Sequence, residues 1–168
     1  MKRNYVIFTI IFSLFLNSFI AKAQQDLPSV MVTDFESQRK NIRDVIDSSK
    51  TTLLICWAVW SHISQKQIEN LTDFKEELNT KYHTEIVLIN MDDSRNSSRI
   101  KPMISGMNWS FPCFLDLNAD LKRALNITNI PSTIIVGPSL KVIWSKVGYY
   151  DGDEETIIEK IKELNTNK

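Results

Sequence analysis

The 168-residue chain carries 20 basic and 20 acidic side chains, two histidines and two cysteines, and 43% of it is hydrophobic. This balance, with no basic stretch interleaved with aromatics, argues against a nucleic-acid partner. Two cysteines are too few for a disulfide scaffold, and the histidines and cysteines have no zinc or copper spacing, so neither a metal nor another cofactor is expected.

Residues 1–23 have the pattern of an export signal. Lys2 and Arg3 make a basic start, Tyr5 to Ile20 an apolar core, and Ala21-Lys22-Ala23 a cleavage triplet. The core is short for a membrane span of about 20 residues, and Asn17 and Ser18 interrupt it. No cysteine follows it to carry a lipid. Cleavage after Ala23 would leave one domain, residues 24–168, with 17 basic and 20 acidic side chains and no stable membrane span. Its net charge of about −3 predicts a mildly acidic surface. The expected location is outside the cytoplasm, the periplasm foremost.

Within residues 24–168 the patterning alternates between strands and helices. Ser29–Val32 reads as an edge strand, and Ile42, Val45 and Ile46 have the spacing of a short helix over Asn41–Asp47. Leu53–Trp60 is an unbroken apolar run, the signature of a strand buried on both faces. From Ile63 the period changes: Ile63, Ile68, Leu71, Phe74 and Leu78 predict one face of a long helix ending near Tyr82. Glu85–Met91 is a second buried strand. Asp92–Ser98 is a polar loop, with Asp92 and Asp93 read as solvated charges. A helix over Ser98–Ser105 would stop at Gly106, with Pro102 in its first turn. Phe111–Asp116 predicts a short strand, Asp120–Leu125 a short helix, and Thr133–Val136 a strand turning at Gly137–Leu140 into Lys141–Val147. Asp153 and Glu154 open a last helix that buries Ile157, Ile158, Ile161 and Leu164. This order predicts a mixed α/β sheet with helices on both faces. Trp57 and Trp144 are expected in the core and Trp109 in loop packing.

At the start of the long helix, Trp60-Ser61-His62-Ile63-Ser64 joins a strand end to a helix N-terminus. Free backbone N–H groups and the positive end of the helix dipole gather there. The string Cys56-Trp57-Ala58-Val59-Trp60 before this turn resembles the secreted TlpA-like branch of the thioredoxin-fold oxidoreductases, which read Phe-Trp-Ala-x-Trp-Cys-x-x-Cys at this place. Phe111-Pro112-x-x-x-Asp116 and Ile130-Pro131-Ser132-Thr133, in that order and at these spacings, extend the resemblance over nearly all of residues 24–168.

The resemblance implies a thioredoxin-like fold with a TlpA-type central insertion of a helix and a short strand. It puts the two redox cysteine positions on Ser61 and Ser64, the buried proton-handling acid on Ile55, and the kink-forming helix proline on Glu69, so the helix is expected to run straight. It matches Pro131 to a cis proline that lies against the redox turn and leaves the preceding backbone free to pair with an extended polypeptide. The implied binding groove is Trp60, Ser61, His62, Ile130 and Pro131.

A helix N-terminus lowers a cysteine pKa strongly, whereas a serine hydroxyl in the same field stays protonated. Ser61 or Ser64 therefore serves as a helix cap, or Ser61 serves as a nucleophile if a base is found; His62 is adjacent, with no third group to orient it. Cys56 is expected to be buried and inert. Two readings of function stay open beside a structural one, a subunit of an envelope assembly that uses another surface. One is a redox-inactive, polypeptide-binding accessory factor in envelope protein maturation. The other is a thiol-disulfide oxidoreductase working through the lone thiol Cys113, which requires that thiol to be exposed and of low pKa. The two cysteines are expected to be free and buried, a Cys56–Cys113 bridge being the alternative.

Overall fold

The computed structural model of the chain describes residues 25–166. The expected export signal lies outside the described residues. In chain order the elements are β1 (Met31–Thr33), β2 (Arg39–Asn41), α1 (Ile42–Val45), β3 (Thr51–Trp57), α2 (His62–Thr72), α3 (Lys75–Tyr82), β4 (Thr84–Asn90), α4 (Ser97–Gly106), β5 (Cys113–Leu115), α5 (Asp120–Ala124), β6 (Ser132–Gly137), β7 (Lys141–Val147) and α6 (Asp153–Thr166). The strands form one mixed sheet in the order β2-β1-β5-β4-β3-β6-β7. β3, β4 and β5 run parallel, and the other pairs are antiparallel.

Every residue of β3 is buried, because β4 and β6 flank it and helices cover both faces. Successive side chains of a strand point to opposite faces, so the run splits into two cores. Leu53, Ile55 and Trp57 join Ile68 and Leu71 of α2, Leu78 of α3, Ile100 of α4 and Ile157, Ile158 and Ile161 of α6. Leu54 and Cys56 join Ile42 of α1, Leu121 of α5, and Leu27, Ile134 and Val136. Truncating a fully buried leucine in either core would cost about 2–5 kcal/mol. Trp144 packs on the first core half-buried, while Trp109 is buried with its ring edge-on to Trp57, centroids 5.3 Å apart.

Three local features differ from the sequence expectation. The long helix is two helices: α2 ends at Thr72, whose hydroxyl donates to the Ile68 carbonyl at 2.9 Å, and α3 starts at Lys75. Such a back-bond bends a helix, and here Phe74 N–H reaches the Leu71 carbonyl across a tightened turn. The helix therefore breaks without a proline. Ile63, expected on the buried face, is exposed. Pro102 is the sixth residue of α4, past the first turn, and its missing N–H removes the bond that the Ser98 carbonyl would otherwise accept.

The polar strand β2 closes a hairpin with β1. Asp34 folds that turn by accepting from the N–H groups of Glu36 at 3.0 Å and Gln38 at 2.8 Å. At the carboxyl end of β5, the buried Asp116 accepts from Leu121 N–H at 3.2 Å and Lys122 N–H at 2.8 Å, and so holds the start of α5. Among the described residues no helix is long and apolar enough to cross a membrane.

Candidate functional site

The carboxyl ends of β3, β4 and β5 open on one edge of the sheet, where ligands bind in open α/β sheets. From β3 the chain passes through Ala58 and Val59 to Trp60 and the serine turn. Ser61 is the N-cap of α2: its hydroxyl accepts from Ser64 N–H at 3.3 Å. The fully buried Ser64 hydroxyl donates to the Ser61 carbonyl at 2.7 Å. Both hydroxyls are thus engaged in starting the helix, the work serine does well at this place. His62 is exposed, and among the described residues no hydrogen bond joins it to Ser61, so this turn lacks the base that a serine nucleophile needs.

The pairing of Cys56 with Ser132 sets the start of β6 beside the end of β3, which brings Ile130 and Pro131 next to the approach to the serine turn. The Ile130–Pro131 peptide is cis. Gln67 of α2 donates to Thr133 Oγ1 at 2.7 Å and ties the helix to the same strand. Pro131 is buried and Ile130 half-buried. Outward, Trp60 is 65% exposed and Ile63 56% exposed. The Lys66–Asp151 ion pair, at 2.7 Å, holds the loop of the 78%-exposed Tyr150 against α2. Large apolar side chains on this edge therefore face solvent around a turn of spent hydroxyls.

Asp92 corrects the view of a solvated charge. It is 2% exposed; its Oδ2 accepts from Val59 N–H at 2.7 Å and Asn90 Nδ2 at 2.8 Å, while Oδ1 has no partner among the described residues. This carboxylate fastens the β4 loop to the residue before Trp60. Asn90, the polar residue that closes β4, supplies one of its donors, but nothing in the sequence marks Asp92 as buried. Gln67, whose Oε1 is also buried without a partner among the described residues, carried no sequence signal either.

The cysteines lie on opposite faces of the sheet, Cys56 in one core and Cys113 in the other, and both are free. That placement rules out the bridge. Cys113 is 8% exposed, and burial pushes its thiol up to about 12. Burial, with the charge of Asp116 second, raises Cys56 too. An exposed thiol of low pKa is thus not what Cys113 provides: it is two strands from the serine turn and a poor nucleophile.

The profile of the thioredoxin-like family matches residues 48–142, from the approach to β3 into β7. The chain belongs to the thioredoxin-like family. Among solved structures it is similar to an uncharacterized thioredoxin-like protein from Porphyromonas gingivalis, with a TM-score of 0.75 and 24% identity over 83% of this chain and 92% of that one. It is also similar to a thiol-disulfide oxidoreductase from Bacteroides fragilis, with a TM-score of 0.67 and 17% identity over 83% of this chain and 99% of the other. A third likeness is to the pneumococcal exposed lipoprotein thioredoxin from Streptococcus pneumoniae, with a TM-score of 0.65 and 14% identity over 81% and 99%. At these identities the likeness establishes the fold. None of the curated proteins matches the chain. In this thioredoxin-like domain Trp60 and the Ser61–Ser64 turn follow the end of β3, which pairs with the start of β6 just after Pro131, and Asp92 accepts from Val59 N–H ahead of Trp60.

Proposed function

We propose that this thioredoxin-like protein is exported, has lost dithiol chemistry at the usual site, and holds an extended polypeptide during envelope protein maturation. The observation that carries the reading is the serine turn: Ser61 and Ser64 spend their hydroxyls on the helix start, directly beside the exposed Trp60. A serine at either place cannot form a disulfide, and both cysteines are buried away from the turn. What remains at this edge is a binding surface. The polypeptide pairs its backbone with Ile130 and sets an apolar side chain against Trp60, a strand-addition mode with one side-chain pocket. Export is supported by the pattern of residues 1–23 and by the likeness to an exposed lipoprotein thioredoxin.

The test uses a reduced, carboxymethylated and therefore unfolded protein as the polypeptide. Trp60→Ala and Ile130→Asp are each expected to weaken its binding about tenfold or more, as for residues central to an interface. Unchanged binding by both variants refutes the groove. In parallel, dithiol-driven reduction of a disulfide-bonded protein substrate is expected to show no rate above the uncatalysed one. A clear rate, lost in Cys113→Ala, would make the protein an oxidoreductase with a displaced thiol.

A further inference from the structure

A second concavity lies on the same edge of the sheet, beyond β4, where β1 and β5 end under α4. Its volume is about 600 Å³, within the range of small-molecule sites. Thr33 and Leu115 are paired across β1 and β5, so this cleft opens at the carboxyl end of a parallel strand, as the serine turn does. Its apolar lining comes from Phe35, Pro102, Leu115 and Leu117. Thr33, Ser37, Ser98 and Ser105 are the hydroxyl-bearing residues of its lining.

The charge in the cleft is unbalanced. Asp34, its one acid, is already held by Lys40 at 2.9 Å and by the N–H groups of Glu36 and Gln38. Lys101, its one cation, makes no ion pair among the described residues; its ammonium stands 5.9 Å from the centroid of the Phe35 ring. With the cleft's one carboxylate already engaged by Lys40, the Lys101 ammonium beside the apolar lining has no ion-pair partner among the described residues.

We infer that this cleft binds a small organic carboxylate with a compact apolar body. The carboxylate meets the Lys101 ammonium, the body lies against Phe35, Pro102 and Leu117, and the hydroxyls take the remaining polar atoms. This site is separate from the serine turn and does not depend on the role proposed there. Lys101 is exposed, so its replacement leaves the core intact.

The probe is phenylacetate, titrated into the 15N-labelled protein and followed by amide chemical shifts. Saturable shifts are expected at Thr33, Phe35, Ser98, Lys101 and Leu117. Phenylacetamide, the neutral counterpart with the same body, and the Lys101→Gln variant with phenylacetate should each bind about three- to fivefold more weakly, the scale of one exposed ion pair. Absence of saturable shifts, or shifts centred on Trp60 instead, overturns the site. Equal affinity for phenylacetate and phenylacetamide overturns the role given to Lys101 and with it the class of ligand.

Discussion

Replacing Asp92 with alanine leaves two buried donors, the Val59 N–H and the Asn90 side-chain amide, without the oxygen that now accepts from both. A buried donor left unsatisfied costs about 1–3 kcal/mol. The Asn90 amide can swing toward another acceptor, but the Val59 N–H is fixed by the backbone at the end of β3. The expected destabilisation of Asp92→Ala is therefore about 2–4 kcal/mol, a melting temperature lower by roughly 4–16 °C for a domain of this size. Asp92→Asn keeps one acceptor oxygen for Val59 and exchanges the unpartnered Oδ1 for a second amide group, so it should lose roughly half as much. Urea unfolding followed by circular dichroism reads both variants, with an unchanged slope confirming that the midpoint shift reports stability. If Asp92→Ala unfolds within about 0.5 kcal/mol of the wild type, the carboxylate is not holding the Trp60 turn and the reasoning fails.

Two further outcomes follow from the thiols and from Tyr149. Burial encloses both cysteines and raises the Cys113 thiol, so neither should react with a thiol reagent within minutes in the folded protein, and both should react in denaturant; stoichiometric labelling of the native protein would contradict the burial described above. Burial first, and the hydrogen bond to Glu154 second, raise the Tyr149 phenol above its ordinary value. The unfolded chain ionises this group from about pH 10 while the folded chain resists, so stability falls as the pH rises past 10. Urea midpoints at pH 8 and 10.5 should show that fall, and Tyr149→Phe should reduce it; a midpoint that rises over this interval would reverse the sign.

The sheet is legible in the sequence because β3 and β4 are buried on both faces, which no amphipathic helix or surface strand imitates. The last helix is equally plain from Ile157, Ile158 and Ile161, all of which are buried as expected. β2 is not legible: Arg39, Lys40 and Asn41 have no apolar pattern, and their pairing depends on a turn closed by the side chain of Asp34. The break after α2 escapes notice for a related reason, since Thr72 and Asp73 are ordinary helix residues until the Thr72 hydroxyl takes the Ile68 carbonyl. Ile63 fits the apolar period but faces outward from the first turn, where Ser64 takes the buried side. At the site, the serine turn and Pro131 are found from their neighbours in the chain, whereas the burial of Asp92 depends on a contact with Val59, 33 residues away. A charged pair after a strand looks the same whether a loop folds it inward or leaves it in water.

The hairpin of β1 and β2 also decides how this protein behaves in a crowded solution. A sheet of seven strands has two borders, and an unprotected border recruits further strands from other chains. Here one border is only three residues long and carries the charged side chains Arg39 and Lys40, the second already paired with Asp34, which another strand would have to desolvate. At the other border, Lys141 of β7 is bridged by Asp26 from the leading segment, and Lys146 is paired with Asp153. Short length and charge at one end of the sheet, and covering contacts at the other, disfavour the pairing of either border with a strand of another chain.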